Sequence, residues 1–203
     1  MKISLCVWKH FPGKADVLLL FLVIAGFAAN ISTWQEPAHA STNVSRQPEA
    51  AMSLTLSSPS FSNGDSIAKK FTCDGADVSP QLNWTEPPAG TKTFALLADD
   101  PDAPVGNWNH WAIWNVPANV RSLPESVKKA SHLPDGSEQG MNDFHKPGYN
   151  GPCPPAGKPH RYYFKLFALD GKLNLAEAGK PELEKSMKGH ILATAEWMGT
   201  YKR

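Results

Sequence analysis

The sequence of 203 residues lacks the short motifs that mark most metalloenzymes, redox dithiols and serine hydrolases. It contains no CxxC or HExxH motif, no closely spaced group of histidine and cysteine, and no serine within a GxSxG turn. These absences predict no metal site and no cofactor. They also favour a non-enzymatic protein, with a hydrolase kept as a weak alternative.

An excess of charge of one sign is also missing. Three of the 20 basic residues and two of the 19 acidic residues lie within residues 1–40, which leaves 17 of each sign in the remainder. Proteins that bind nucleic acids or anionic membrane surfaces usually carry a basic stripe, and no such stripe is visible. We therefore expect no nucleic-acid partner.

The N-terminal apolar run is shorter than the roughly 20 residues that a transmembrane helix needs. Val17–Ala29 follows three lysines and has the length of a signal-peptide core, and Ala38-His39-Ala40 supplies a small-residue cleavage motif. We predict a signal peptide at residues 1–40, with an uncleaved anchor as the alternative. The protein is then exported, periplasmic or secreted, and its mature form is not an integral membrane protein. Residues 41–52 are polar and aperiodic, which predicts a disordered linker before a folded domain at 53–203.

Cysteine is scarce, with three residues in the whole chain. Cys6 lies in the predicted leader, which leaves Cys73 and Cys153 as an even pair in an exported domain. An oxidising compartment favours a disulfide between them, closing a loop of about 80 residues. The alternatives are a reactive Cys153 or a metal ligand, and the missing His/Cys cluster disfavours both.

Short apolar runs separated by Pro- and Gly-rich turns dominate the rest of the chain, which has 18 prolines and 15 glycines. This pattern predicts a mainly β domain of the sandwich type. A helix is predicted at Pro181–Lys188, because proline and acidic residues suit its first turn and Leu183 and Met187 share one face. A further helical turn is allowed at Leu175–Gly179. The predicted strands are Leu54–Leu56, Gln81–Trp84, Phe94–Ala98, His110–Val116, Tyr162–Leu169 and Ile191–Tyr201.

Two proline-stiffened loops each lead to a histidine at the start of a strand. The first reads DDPDAPVGNWNH from Asp99 to His110, and the second reads GYNGPCPPAGKPHRY from Gly148 to Tyr162. A rigid loop that carries carboxylates and imidazoles on buried strands is a common way to build a binding pocket. The alternative is a solvated turn followed by a core strand.

The motifs DPDAP, WxH, GPCPPxGxPHRY and the closing EWMGTY together resemble the phosphatidylethanolamine-binding protein family, in its bacterial Raf-kinase-inhibitor-like branch. The resemblance covers Ser53–Arg203. It implies a β-sandwich of antiparallel sheets with one or two short helices near the C-terminus. It also implies a small pocket for phosphate-like anions, such as phosphorylethanolamine or another phospholipid headgroup.

Each residue type of the family's ligand pocket is present at the matching motif position of this sequence. A cis peptide bond at Ala103–Pro104 is implied in the same way. Asp102 has a structural alternative, in which it accepts backbone N–H groups within its own turn. The implied ligand-binding residues are Asp100, Asp102, Trp108, His110, Pro154, His160 and Tyr162.

A carboxylate in an anion pocket needs an explanation, because like charges repel. Asp100 fits if it orients and charges an imidazole, or if it shares a proton with the ligand. We predict that protonated His110 and His160 offset its charge, so that anion affinity rises as the pH falls. Strand alternation places Arg161 on the face opposite His160 and Tyr162.

Two function classes follow from the resemblance. The first is a non-enzymatic binding protein for a small anion. The second is a protein-interaction regulator that inhibits a kinase or protease, with the irregular segment Arg121–Pro147 as its partner surface. A homodimer is a further expectation. An exported protein does not meet a cytosolic kinase of its own cell, so the Raf-kinase label does not define its function.

Overall fold

The computed structural model describes residues 53–176 and 178–203, so the predicted signal peptide and linker lie outside the described residues. The described chain is mainly β, as predicted, and its paired strands run antiparallel. In chain order the elements are β1 (Leu56–Ser57), β2 (Leu82–Trp84), β3 (Thr93–Asp100), β4 (Trp108–Pro117), β5 (Ser122–Leu123), β6 (Glu138–Gln139), β7 (His160–Leu169), α1 (Lys180–Met187) and β8 (Ile191–Tyr201), with a 3-10 turn at Lys69–Phe71.

The larger sheet is organised around β3, which is buried along its whole length. Its strand order is β6-β4-β3-β7-β8, and the smaller sheet has the order β1-β2-β5. The continuous apolar run of β3 is explained by burial on both faces. Phe94, Leu96 and Ala98 join the core under the smaller sheet, whereas Ala95 and Leu97 join a second core under α1.

The two sheets pack face to face around large side chains. Leu56, Leu82 and Trp84 of the smaller sheet are buried in the same cluster as Phe94 of β3. The rings of Trp84 and Phe94 meet edge to face, with centroids 5.2 Å apart. Burial of this kind stabilises a fold by roughly 1.5–3 kcal/mol per large side chain, so the sandwich has a substantial core.

The predicted helix is confirmed, beginning and ending one residue earlier than expected. Pro181 lies in the first turn, and the Glu182 carboxylate accepts the Gly179 N–H at 3.1 Å. Leu183 and Met187, four residues apart, are both buried against the sheet. The helical turn allowed before it is not found in the described residues of that segment. Among the described residues, no helix has both the length and the apolar character needed to cross a membrane.

Antiparallel pairing brings the functional loops to one edge of the larger sheet. The end of β3 lies beside the start of β4, with Asp100 paired to Trp108, and beside the start of β7, with Asp99 paired to Tyr163. The Ala103–Pro104 bond in the β3–β4 turn is trans, because the described residues contain no cis peptide bond. The implied cis bond is therefore wrong.

Candidate functional site

A cavity of about 270 Å³ lies at the edge where β3 ends and β4 and β7 begin. Each strand supplies one ionisable side chain to its lining, namely Asp100, His110 and His160. The β3–β4 turn adds Ala103, Pro104 and Val105. Aromatic and loop residues complete it, namely Trp108, Phe144, Cys153, Pro154 and Pro155.

Asp100 and His160 form a buried pair in this cavity. The His160 Nδ1 atom lies 2.8 Å from Asp100 Oδ2, and the two residues are 9% and 3% exposed. The other carboxylate oxygen accepts the Asp102 N–H at 2.9 Å. A carboxylate on Nδ1 orients an imidazole and fixes which ring nitrogen faces outward. The pair therefore directs the second ring nitrogen of His160, Nε2, away from Asp100.

His110 is held differently, by a backbone carbonyl. Its Nδ1 lies 2.7 Å from the Asn150 carbonyl oxygen, which can only accept, so this nitrogen donates. Burial lowers the pKa of His110, although that carbonyl and the charge of Asp100 oppose the shift. In the neutral ring, Nε2 then carries a lone pair. This direction contradicts the predicted protonation of His110.

Tyr162 lies beneath the cavity and not in its lining. Its side chain is 2% exposed, and its ring meets the edge of His110 with centroids 5.2 Å apart. The phenol oxygen has no hydrogen-bond partner within the described part of the chain. Burial and the nearby Asp100 carboxylate raise the pKa of Tyr162, so the phenol keeps its proton. The Tyr162 oxygen is fully buried and lies outside the cavity lining, so the phenol packs against the His110 ring and does not face the cavity.

One wall of the cavity is aromatic. Phe144 stands edge to face against both Trp108 and His110, with ring centroids 5.5 and 5.2 Å away. Pro154, in the proline-rich loop before β7, also lines the cavity. Phe144 was not predicted, because it lies in the irregular segment after β6, where no periodicity distinguishes one aromatic side chain from its neighbours.

Asp102 is not brought into the cavity. Its carboxylate accepts the backbone N–H of Arg161 and both Nε and Nη2 of the guanidinium, at 2.7–2.9 Å. Arg161 is exposed, as strand alternation predicts. The structure thus gives Asp102 a structural role in tying the β3–β4 turn to β7. The partner of the Asp102 carboxylate is Arg161, and not a backbone N–H of its own turn. Within that turn, the Asp100 carboxylate accepts the Asp102 N–H.

Replacing Asp102 with asparagine is expected to make the free energy of unfolding fall less steeply as the pH is lowered. Hydrogen bonds from Arg161 lower the pKa of Asp102 from 3.8 to about 2. Because the folded value lies below the unfolded one, the ionised carboxylate stabilises the fold above about pH 4, and this contribution is lost as the pH falls toward 2. Urea unfolding between pH 2 and 5 should decline less steeply for Asp102→Asn than for wild type. The change is small, since Arg161 is half exposed, and equal slopes would count against it.

The loop before β7 approaches the rest of the domain closely at Gly151. A Cβ atom there would lie 2.1 Å from the Phe71 carbonyl oxygen and 2.8 Å from the Thr72 Cα. The Gly151 N–H donates to Asp77 Oδ1 at 2.7 Å, and the Asn150 amide donates to Asp77 Oδ2. These contacts fix the backbone from which the Asn150 carbonyl reaches His110.

Gly151→Ala is expected to destabilise the fold by about 1–3 kcal/mol, as an overpacked backbone contact does. It should also displace the Asn150 carbonyl from His110, because the loop that holds His110 must shift. Gly171→Ala is the matched control, since no atom lies within 4 Å of a Cβ at Gly171. Chemical denaturation of both variants checks the first effect. Equal stability of the two variants would show that the close approach is not restrictive.

Cys73 and Cys153 are bonded in the structure, with their Cα atoms 5.4 Å apart. Cys153 also lines the cavity, so the disulfide anchors the proline-rich loop at the cavity wall. Within the described residues, no group of three or more His, Cys, Asp or Glu side chains could hold a metal ion.

The segment Arg121–Pro147 contains β5 and β6 and a separate groove of about 290 Å³ near Leu123 and Leu133. A partner surface there stays a prediction.

Comparison with known proteins agrees with this architecture. The family profile described as phosphatidylethanolamine-binding protein matches residues 57–202. The UPF0098 proteins of Aquifex aeolicus and Methanothermobacter thermautotrophicus are 48% and 45% identical over 153 and 151 residues, covering 74% of this chain and 89% and 99% of theirs. The crystal structure of the phosphatidylethanolamine-binding protein homologue CT736 from Chlamydia trachomatis has a TM-score of 0.68 at 38% identity, and that of Escherichia coli YbcL has 0.69 at 34%. Each comparison covers 74% of this chain and 98% of the other. The chain therefore belongs to the phosphatidylethanolamine-binding protein family.

Proposed function

We propose that the chain is an exported, non-enzymatic binding protein whose cavity accepts a phosphate-like anion, as a phospholipid headgroup or another phosphorylated ligand. The observation that carries the proposal is the buried Asp100–His160 pair, set beside His110 in one cavity. Family membership supports a binding function in general. The anion and its class are inferred from the chemistry of the side chains.

The His160 side chain offers the cavity a hydrogen-bond donor that suits an oxyanion. The imidazolium form of His160 donates from Nδ1 to Asp100 and keeps Nε2–H for a ligand. Charge-assisted hydrogen bonds of this kind are about twice as strong as neutral ones. The Trp108 and Phe144 rings give an apolar surface for whatever substituent the anion carries.

The cavity residues favour binding over covalent catalysis. The lining contains no serine, threonine or lysine, and its cysteine, Cys153, is bonded to Cys73. A nucleophile activated by a neighbouring base is the usual mark of a covalent hydrolase. The carboxylate and imidazoles are instead engaged with each other or with the backbone. A regulator of partner proteins is the second candidate function. The residues of the cavity neither support nor oppose it.

Export is supported by the bonded cysteine pair together with the charge and apolar pattern of residues 1–40. Disulfides persist in oxidising compartments and are rare in reducing ones. A periplasmic or secreted location follows from the proposal. Fractionation of cells that express the native chain tests this location. Recovery of the protein with cytosolic markers would contradict it.

Thermal unfolding with phosphate and with phosphorylethanolamine tests the binding proposal. At a ligand concentration of about 100 Kd, linkage raises the free energy of unfolding by about 2.7 kcal/mol, which corresponds to roughly 5–10 °C in Tm for a domain of this size. His160→Gln should lose most of this shift, because the glutamine carries no charge. His190→Gln is the matched control, since His190 forms an exposed pair with Asp170 at the same 2.8 Å distance. No shift for wild type with either anion, or an equal loss in both variants, would refute the proposal.

A further inference from the structure

The two ends of the disulfide differ in their access to solvent. Cys73 is exposed, whereas Cys153 is half-buried between Pro152 and Pro154, which are both buried. Thiol–disulfide exchange begins when a thiolate attacks one of the two sulfur atoms, and its rate depends on which of them the thiolate can reach. Access therefore favours attack at Cys73.

The charged groups beside the two sulfur atoms have opposite signs. Nη1 of Arg203 lies 3.9 Å from Cys153 Sγ, and Asp74 directly follows Cys73 in the chain. A cation beside a cysteine stabilises its thiolate, and the more stable thiolate is the better leaving group. A carboxylate has the opposite effect on a neighbouring thiolate. Both charges therefore favour the departure of Cys153 and the retention of Cys73 in a new disulfide.

Arg203 is held in this position by contacts on both sides of the disulfide. Its Nε atom lies 3.2 Å from Asp74 Oδ2, and the Tyr201 hydroxyl donates to the same oxygen at 2.8 Å. Its carbonyl oxygen accepts the Gly157 N–H at 3.4 Å. The guanidinium therefore lies beside the bond through specific contacts.

Opening the disulfide does not require the two loops to separate. The Cys73 N–H donates to the Pro152 carbonyl oxygen at 3.1 Å, and the Tyr149 hydroxyl donates to the Phe71 carbonyl oxygen at 2.8 Å. These hydrogen bonds join the same two segments as the disulfide does. Exchange can therefore occur in the folded protein.

We infer that the Cys73–Cys153 disulfide is a thiol-exchange site, at which a low-molecular-weight thiol attacks Cys73 and releases Cys153. The thiol first loses its proton to solvent, and its sulfur then forms a bond to Cys73 Sγ. The bond between the two cysteines breaks in the same step, and its electron pair leaves with Cys153 Sγ as a thiolate beside Arg203. The products are a mixed disulfide on Cys73 and a free thiolate on a residue that lines the cavity. The inference does not depend on which ligand the cavity binds.

Peptide mapping after brief exposure to glutathione at about pH 8 tests which sulfur is attacked. The protein is the folded, oxidised full-length chain with Cys6→Ser, which removes the third thiol. A rapid quench with excess N-ethylmaleimide labels each free thiol, and mass spectrometry identifies which cysteine carries glutathione. Glutathione on Cys73 with the label on Cys153 should exceed the reverse isomer about 10-fold or more. Equal amounts of the two isomers, or an excess of the reverse one, would overturn the inference.

Arg203→Gln tests the role of the guanidinium. The variant should release the Cys153 thiol about 2–5-fold more slowly, because a unit charge about 4 Å away no longer stabilises the departing thiolate. Arg121→Gln is the matched control, since it removes the same charge from a surface pair with Glu86, and its rate should equal that of the wild type. Equal rates in all three proteins, or equal slowing in the two variants, would overturn the role assigned to Arg203.

Urea below the unfolding transition separates exchange in the folded protein from exchange after unfolding. The rate of Cys153 release in the folded state should change less than about twofold between no urea and about 1 M urea, since no large surface is exposed. A reaction that requires global unfolding would accelerate roughly fivefold or more over that range. The smaller change is expected, and the steep acceleration would show that the folded protein has no thiol-exchange site.

Discussion

Replacing Cys73 and Cys153 together with serine is expected to lower the free energy of unfolding by about 4–5 kcal/mol. The two positions are separated by 80 residues, and the chain-entropy account assigns this amount to a loop of that length. Guanidinium unfolding of the oxidised wild type and of the double variant measures the difference. A change below about 1 kcal/mol would mean that the disulfide does not restrain the unfolded chain.

Reductant provides the internal control for this result. It should destabilise the wild type by a similar amount and leave the double variant unchanged, because the variant has no bond to lose. The variant should also bind phosphate less tightly, since Cys153 and Pro154 share the cavity wall. A destabilised variant with unaltered affinity would show that the loop keeps its position without the bond.

The second large effect is expected from Lys180→Met, at about 3–5 kcal/mol of destabilisation. The Lys180 Nζ atom lies 2.8 Å from Asp99 Oδ2, and the Asp99 side chain is 2% exposed. Removing one partner of a buried ion pair leaves an uncompensated charge in the interior. Lys180 also begins α1, where a cation opposes the helix dipole, so its presence there is best explained by this pair.

Lys165→Met is the matched control for the ion pair. Its Nζ lies 3.8 Å from the same Asp99 oxygen, but the side chain is 37% exposed. Its loss should cost less than about 1 kcal/mol. The double variant Lys180→Met, Asp99→Asn should recover part of the stability, because the buried charge is gone. Equal effects of the two lysine substitutions on the urea midpoint would contradict the account.

Sequence patterns predicted the fold well where periodicity and turn chemistry agreed. The last strand was expected at Ile191–Tyr201 and is found there, and the helix is displaced by a single residue. The segment after β5 was harder to predict, because its short bridges and loops depend on tertiary contacts. The Asn142 side chain, for example, accepts the backbone N–H groups of Phe144 and Lys146 and so shapes the loop that brings Phe144 to the cavity.

The sequence predicted which residues lie near the cavity better than it predicted which partner each side chain contacts. Asp100, Asp102 and Asp99 all lie within four residues, yet strand alternation and the turn give them three different partners: His160, Arg161 and Lys180. Sequence alone could not assign these pairs, since each partner is about 60 residues or more away. The protonation of His110 likewise depends on burial and on the Asn150 carbonyl, neither of which is visible in the WNH motif.

The most direct test of the account is NMR of the histidine ring resonances during a phosphate titration. The account predicts saturable shifts of His110 and His160, which line the cavity, with the same apparent Kd. His190, in its exposed pair with Asp170, should not shift. Saturable binding that leaves His110 and His160 unperturbed, or that moves His190 equally, would show that the cavity between β3, β4 and β7 is not the anion site.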